Sequence, residues 1–132
     1  MRIEQSAFGG FCARVHKEGE YAVYDPDGKV TLPNPHYLKP ETNWPAKDWY
    51  AGSITLDKGK TIGLAVLDHP KNAHATWHNA RSVGMLNPCP TAAGPITLEK
   101  GKPFVLRYRL VAHDGPTPVD VVRALSAEWR RG

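Results

Sequence analysis

The sequence predicts an all-β fold: an antiparallel β-sandwich of jelly-roll type carrying one C-terminal α-helix. Three observations lead there. Apolar runs are short and separated by turn sequences, among them Asp25-Pro26-Asp27-Gly28, Asp57-Lys58-Gly59-Lys60 and Glu99-Lys100-Gly101-Lys102. The 12 glycines and 12 prolines in 132 residues favour strands and turns over helices. Only the chain's end repeats apolar residues at helical spacing, at Val119, Val122, Leu125 and Trp129. Many short strands with regular turns, followed by one helix, are the pattern of a sandwich.

The elements follow in order. Phe8 to Val15 reads as a first strand, opening on Gly9-Gly10. Tyr21 to Tyr24 and Lys29 to Thr31 flank a turn and form a hairpin. Leu32 to Pro45 holds four prolines and reads as a long ordered loop. Trp49 to Leu56 and Thr61 to Leu67 make a second hairpin. Arg81 to Leu86 and Ile96 to Leu98 are short strands, and Phe104 to Val111 is a longer one. Thr117 then offers an N-cap, Pro118 a proline at the first helical position, and Asp120 an acid three residues after the cap. The helix runs through Arg131 and packs on the sandwich.

Composition narrows the classes of function. The length fits a single domain spanning 1–132, large enough for a core without staples. No apolar run is long enough to cross a bilayer, and Met1 to Ser6 lacks a secretion signal's apolar segment, so the chain reads as soluble, with no membrane partner. The net charge is +4, but the basic residues are scattered, dense only at Arg107-Tyr108-Arg109 and Arg130-Arg131, and the aromatics do not sit between them in a recognition pattern, which disfavours nucleic acid. A modest positive field suits an anionic small ligand equally well. Cys12 and Cys89 have no zinc-ligand spacing, and Cys12 reads as a buried thiol. Exposed sheet edges and an amphipathic end helix leave a homodimer open.

The stretch Asp68 to Arg81 carries the chemistry. It holds three of the six histidines, follows the apolar strand Thr61 to Leu67, and so delivers imidazoles to one end of a sheet. Pro70 keeps His69 extended. His78 and Arg81 would face opposite sides of a strand, so bringing them together requires a turn or bulge between them. His113 ends the Phe104 strand. If that strand runs beside Thr61 to Leu67 in the same direction, His113 shares a sheet end with His69.

Gly63, Ala65, Asp68-His69-Pro70 and Asn72, then Trp77-His78, Arg81, Gly84 and Asn87-Pro88, then Leu106 to Val111 with His113-Asp114-Gly115, resemble the DUF6807 family. The likeness covers about Gly9 to Trp129. Members carry an older "methane oxygenase" label, which does not fit a chain without spanning segments. The resemblance implies a β-sandwich similar to mutarotase-like sugar-processing folds and a carbohydrate-related role. Ala73 and Ala75 stand where the family has prolines, and Val83 where it has an aromatic. Typical members are longer, so the chain is expected to correspond to the shorter C-terminal part of one.

On that reading the ligand is a carbohydrate or anionic sugar. His69, His78 and His113 are the acid–base candidates, because histidine titrates near neutrality. Arg14 and Arg81 would hold a carboxylate or ring oxygens, Trp77 would stack on a sugar face, and Asn72 and Asn87 complete the binding set. A second reading gathers His69, His74 and His78 around copper or zinc. A third is a non-catalytic sugar-binding or assembly module. The plainer alternative makes Trp77 a core residue, pairs Arg81 with an acid and leaves the histidines as loop anchors.

Overall fold

The computed structural model describes residues 1–6, 9–15, 18–31, 44–73 and 76–132. Its centre is a five-stranded antiparallel sheet built from β3 (Glu20–Asp25), β4 (Gly28–Lys29), β5 (Trp49–Thr55), β6 (Thr61–Asp68) and β9 (Tyr108–Asp114). The spatial order is β4-β3-β5-β6-β9. Two small antiparallel ladders accompany it: β1 (Arg2–Ile3) with β8 (Ile96–Thr97), and β2 (Ala13–Arg14) with β7 (Met85–Leu86). Among the described residues one α-helix, α1 (Val119–Arg131), follows at the C-terminal end. The sheets form a sandwich-like, mostly antiparallel arrangement with one C-terminal helix, as the sequence predicts.

β5 and β6 are central because they are apolar on both faces. Their register sets Trp49 opposite Leu67, Ala51 opposite Ala65 and Tyr50 opposite Val66. Residues two apart share a face, so each strand feeds two cores. One core joins Tyr50, Val66 and Val23 to Trp44, Trp77, Leu86 and Ala13 from the irregular layer. The other joins Trp49, Ala51, Ala65 and Leu67 to Val122, with Val119, Leu125 and Trp129 of α1 packed against it. The apolar stripe read from the sequence is the face that α1 buries. Full burial of one such side chain stabilises by about 1.5–3 kcal/mol.

Several local expectations shift. The first strand shortens to Ala13–Arg14, and Phe8 lies outside the described residues. Of the proline-rich loop, residues 32–43 also lie outside them. The expected strand at Arg81 to Leu86 is instead a 3-10 turn over Arg81–Val83, a left-handed Gly84 (φ 58°) and the two-residue β7. β9 begins at Tyr108 rather than Phe104, and Phe104 and Val105 are exposed.

α1 starts at Val119 with Pro118 at the cap position and no capping side chain. The Thr117 hydroxyl is engaged elsewhere, 2.6 Å from Ser53 Oγ. Cys12, expected as a buried thiol, is exposed, and Cys89 is buried and donates Sγ–H to the Ser6 carbonyl at 3.1 Å. Neither is in a disulfide. Among the described residues no helix is long and apolar enough to cross a membrane.

Candidate functional site

β6 ends at Asp68, and the chain turns sharply beyond it. Asn72 makes that turn. Its backbone N–H donates to the His69 carbonyl at 2.9 Å, and its side-chain amide donates to Asp68 Oδ1 and to the Arg107 carbonyl, each at 2.7 Å. The Arg107 N–H returns a bond to Asn72 Oδ1 at 2.7 Å. One buried amide thus ties the histidine loop to the strand entering β9. His69 Nδ1 accepts from the Lys71 N–H at 3.1 Å. In the neutral ring this leaves the proton on Nε2. The imidazole stands edge-on to Trp129, with centroids 4.9 Å apart.

Around this corner lies a cleft of about 200 Å³ lined by Ala46, Lys47, Asp48, Asp68, His69, Pro70, Asn72 and Arg130. Its charged side chains come from three elements: the approach to β5, the end of β6 and the last turn of α1. Arg130 pairs with Asp48 at 3.2 Å. Burial pushes the Asp68 carboxyl above its ordinary range, opposed by the Asn72 bond and the Arg130 charge. His69 moves the other way. Burial lowers its pKa, helped by the charges of Lys71, Arg107 and Arg130. An acid made weaker therefore sits beside an imidazole that resists protonation.

Of the residues singled out from the sequence, His69 and Asn72 meet here; most of the others do not. β6 and β9 run antiparallel, with Gly63 opposite His113 and Asp68 opposite Tyr108. His113 therefore sits about 20 Å along the strand from His69, at some 3.3 Å per residue. The shared sheet end required parallel neighbours, and these strands are opposed. Trp77 is fully buried, edge-on to Tyr50 at 4.9 Å, and its Nε1–H donates to the Lys47 carbonyl at 3.0 Å. It presents no ring face to a ligand.

His78 and Asn87 are buried together, His78 N–H donating to the Asn87 carbonyl at 2.8 Å, and burial lowers the His78 pKa. Arg81 donates Nη2–H to the Val30 carbonyl at 3.0 Å and lies 5.8 Å from the Trp44 ring centroid. Arg14 is exposed in β2, opposite Met85.

The copper or zinc expectation is overturned. Among the described residues no group of three or more His, Cys, Asp or Glu is placed to hold a metal ion. His74, one of the three expected ligands, lies outside those residues. His69 is turned against Trp129 while His78 is packed beside Asn87, so the close spacing in sequence does not become a ligand set.

Asp48, Trp129 and Arg130 were not singled out as site residues. Arg130 could have been suspected as the polar neighbour of the apolar helix position Trp129. Asp48 carries no signal of its own, because its place depends on the β5–β6 register.

Fold and cleft together define a β-sandwich suited to ligand binding in the general sense, with a buried aromatic cluster behind a polar corner. The chain belongs to DUF6807, a family of unknown function, whose profile matches residues 1–127. Searches of curated proteins and of solved structures each return no match.

Proposed function

We propose that the protein recognises a carbohydrate-related ligand in the Asp68–His69 cleft and transfers a proton there. The carrying observation is the pair of adjacent buried groups whose environments push their pKa values in opposite directions. These shifts bring a carboxyl and an imidazole closer together in proton affinity, which suits the pair to exchanging a proton with one ligand. Neutral His69 offers Nε2–H to a ligand oxygen. Asp68 is the proton acceptor, its raised pKa making it a stronger base than an ordinary carboxylate. Asp48 and Arg130 supply an acceptor and a bidentate donor for hydroxyls or a sugar carboxylate. The cleft's size suits one sugar unit rather than a long chain.

The test is nitrogen-15 NMR titration with a panel of aldoses, uronic acids and disaccharides, coupled to exchange spectroscopy of the anomers. A recognised sugar should shift the Lys71 and Arg107 amides. Asp68→Asn should retain that binding and lose any acceleration of anomer exchange. Binding without acceleration in the unmodified protein would leave a recognition module and remove the proton-transfer role. A panel that moves neither amide would remove the carbohydrate reading.

A further inference from the structure

The two edges of the central sheet are built differently. One edge is β4, two residues long and carrying Lys29, the short and charged form that blocks further pairing. The other is β9, seven residues with neither proline nor lysine inside it. Among the described residues, β9 pairs only with β6. Leu110, in the middle of this edge, is 49% exposed, and Phe104 and Val105 on its approach are 39% and 46% exposed.

We infer that β9 pairs with β9 of a second copy, joining two sheets across a two-fold axis at Val111. The ladder with β6 dictates which groups are available. Gly115 N–H donates to the Thr61 carbonyl at 2.7 Å, so the alternate residues His113, Val111 and Arg109 also point their backbone groups inward. Tyr108, Leu110, Ala112 and Asp114 therefore aim theirs outward. In a symmetric antiparallel pairing with full overlap, the strand's midpoint, Val111, meets itself.

Leu110 then lies opposite Ala112 of the second copy, and Tyr108 opposite Asp114. Every outward residue meets an outward residue, giving about eight backbone bonds at two per bonded pair. The side chains complement as well. The exposed leucine meets an alanine on the same face, and a phenol donor meets a carboxylate. A register one residue away would set outward groups against inward ones.

The test is the mass of the full chain in solution by light scattering and sedimentation over a wide concentration range, with two variants. Leu110→Lys changes an already exposed side chain and protects the edge, so the fold should persist while the dissociation constant rises about tenfold or more. Val111→Cys, with the exposed Cys12 replaced by serine, should form an intermolecular disulfide on mild oxidation. At the axis the two Cα atoms of a non-hydrogen-bonded pair are about 4.5 Å apart, within disulfide range. A concentration-dependent dimer that Leu110→Lys weakens and Val111→Cys traps supports the pairing. A chain that stays monomeric, or a dimer indifferent to both changes, overturns it.

Discussion

The two ends of β6 each hold a histidine, and they hold it differently. Near the start of the strand, His113 lies over the bare backbone of Gly63. Its Nδ1 is 3.2 Å from the Gly115 carbonyl and its Nε2 is 3.4 Å from Thr117 Oγ1, which in turn meets Ser53. Both ring nitrogens are engaged within the fold, and the ring fastens β9 to the segment that enters α1. At the far end, His69 is anchored to backbone through Nδ1 and lines the cleft with Asp68 and Arg130. An imidazole engaged at both nitrogens has nothing left for a ligand, whereas one held at a single nitrogen is oriented and still available. Bonding within the fold therefore separates the two better than residue type does.

The largest effect should come from loosening the cleft end. Asn72→Ala removes the bonds to buried Asp68 and to both backbone groups of Arg107 in one step. A loss of about 3 kcal/mol is expected in urea denaturation. It should be accompanied by fast amide exchange at Lys71 and Arg107 while the β5–β6 amides stay protected. Uniform loss of protection would mean that the corner is not a separate unit.

The fastening end should respond next. A Cβ at Gly63 would collide with the His113 ring and come within 2.6 Å of the Gly52 carbonyl, which is backbone and cannot swing away. Gly63→Ala should cost about 1–3 kcal/mol through this overpacking. Adding His113→Ala should recover part of that loss, because the ring is one of the two obstacles. Strict additivity of the two changes would show that the ring's seat on Gly63 contributes nothing.

The contrast also explains what could be read in advance. The central hairpin, the helix and the antiparallel class were legible because each rests on local periodicity and turn chemistry, as in Thr61 to Leu67 or Val119 to Trp129. The importance of Asp68 to Asn72 was legible because polar residues directly follow a buried strand. Which strand lies beside β6, and in which direction, was not, and that pairing moved His113 to the opposite end. Trp77 has the residue type of a sugar platform, but its burial is fixed by Tyr50 and the Lys47 carbonyl, both distant in sequence. Arg130 reaches the cleft only because α1 packs across β6. Tertiary placement is what local pattern leaves out.

The smallest effect is a pH dependence, and it sharpens the assignment of His69. Its pKa in the folded protein lies below the ordinary 6.5, chiefly through burial, so the unfolded chain takes up this proton first. The stability it contributes is full above 6.5 and is lost as pH falls through the lowered folded value. Asp68 has the opposite sign. Its raised folded pKa contributes stability that is full below the ordinary 3.8 and is lost as pH rises through the raised value. His69→Gln should therefore flatten the decline of stability below pH 6.5 relative to the unmodified protein, while Asp68→Asn leaves that limb in place and changes the more acidic one. His78, also lowered by burial, is present in both proteins and cancels in the difference. Denaturation midpoints measured from neutral to acid pH would check this. A His69→Gln curve parallel to the unmodified one would mean that the ring is as open to protons folded as unfolded, and the acid–base contrast within the cleft would go with it.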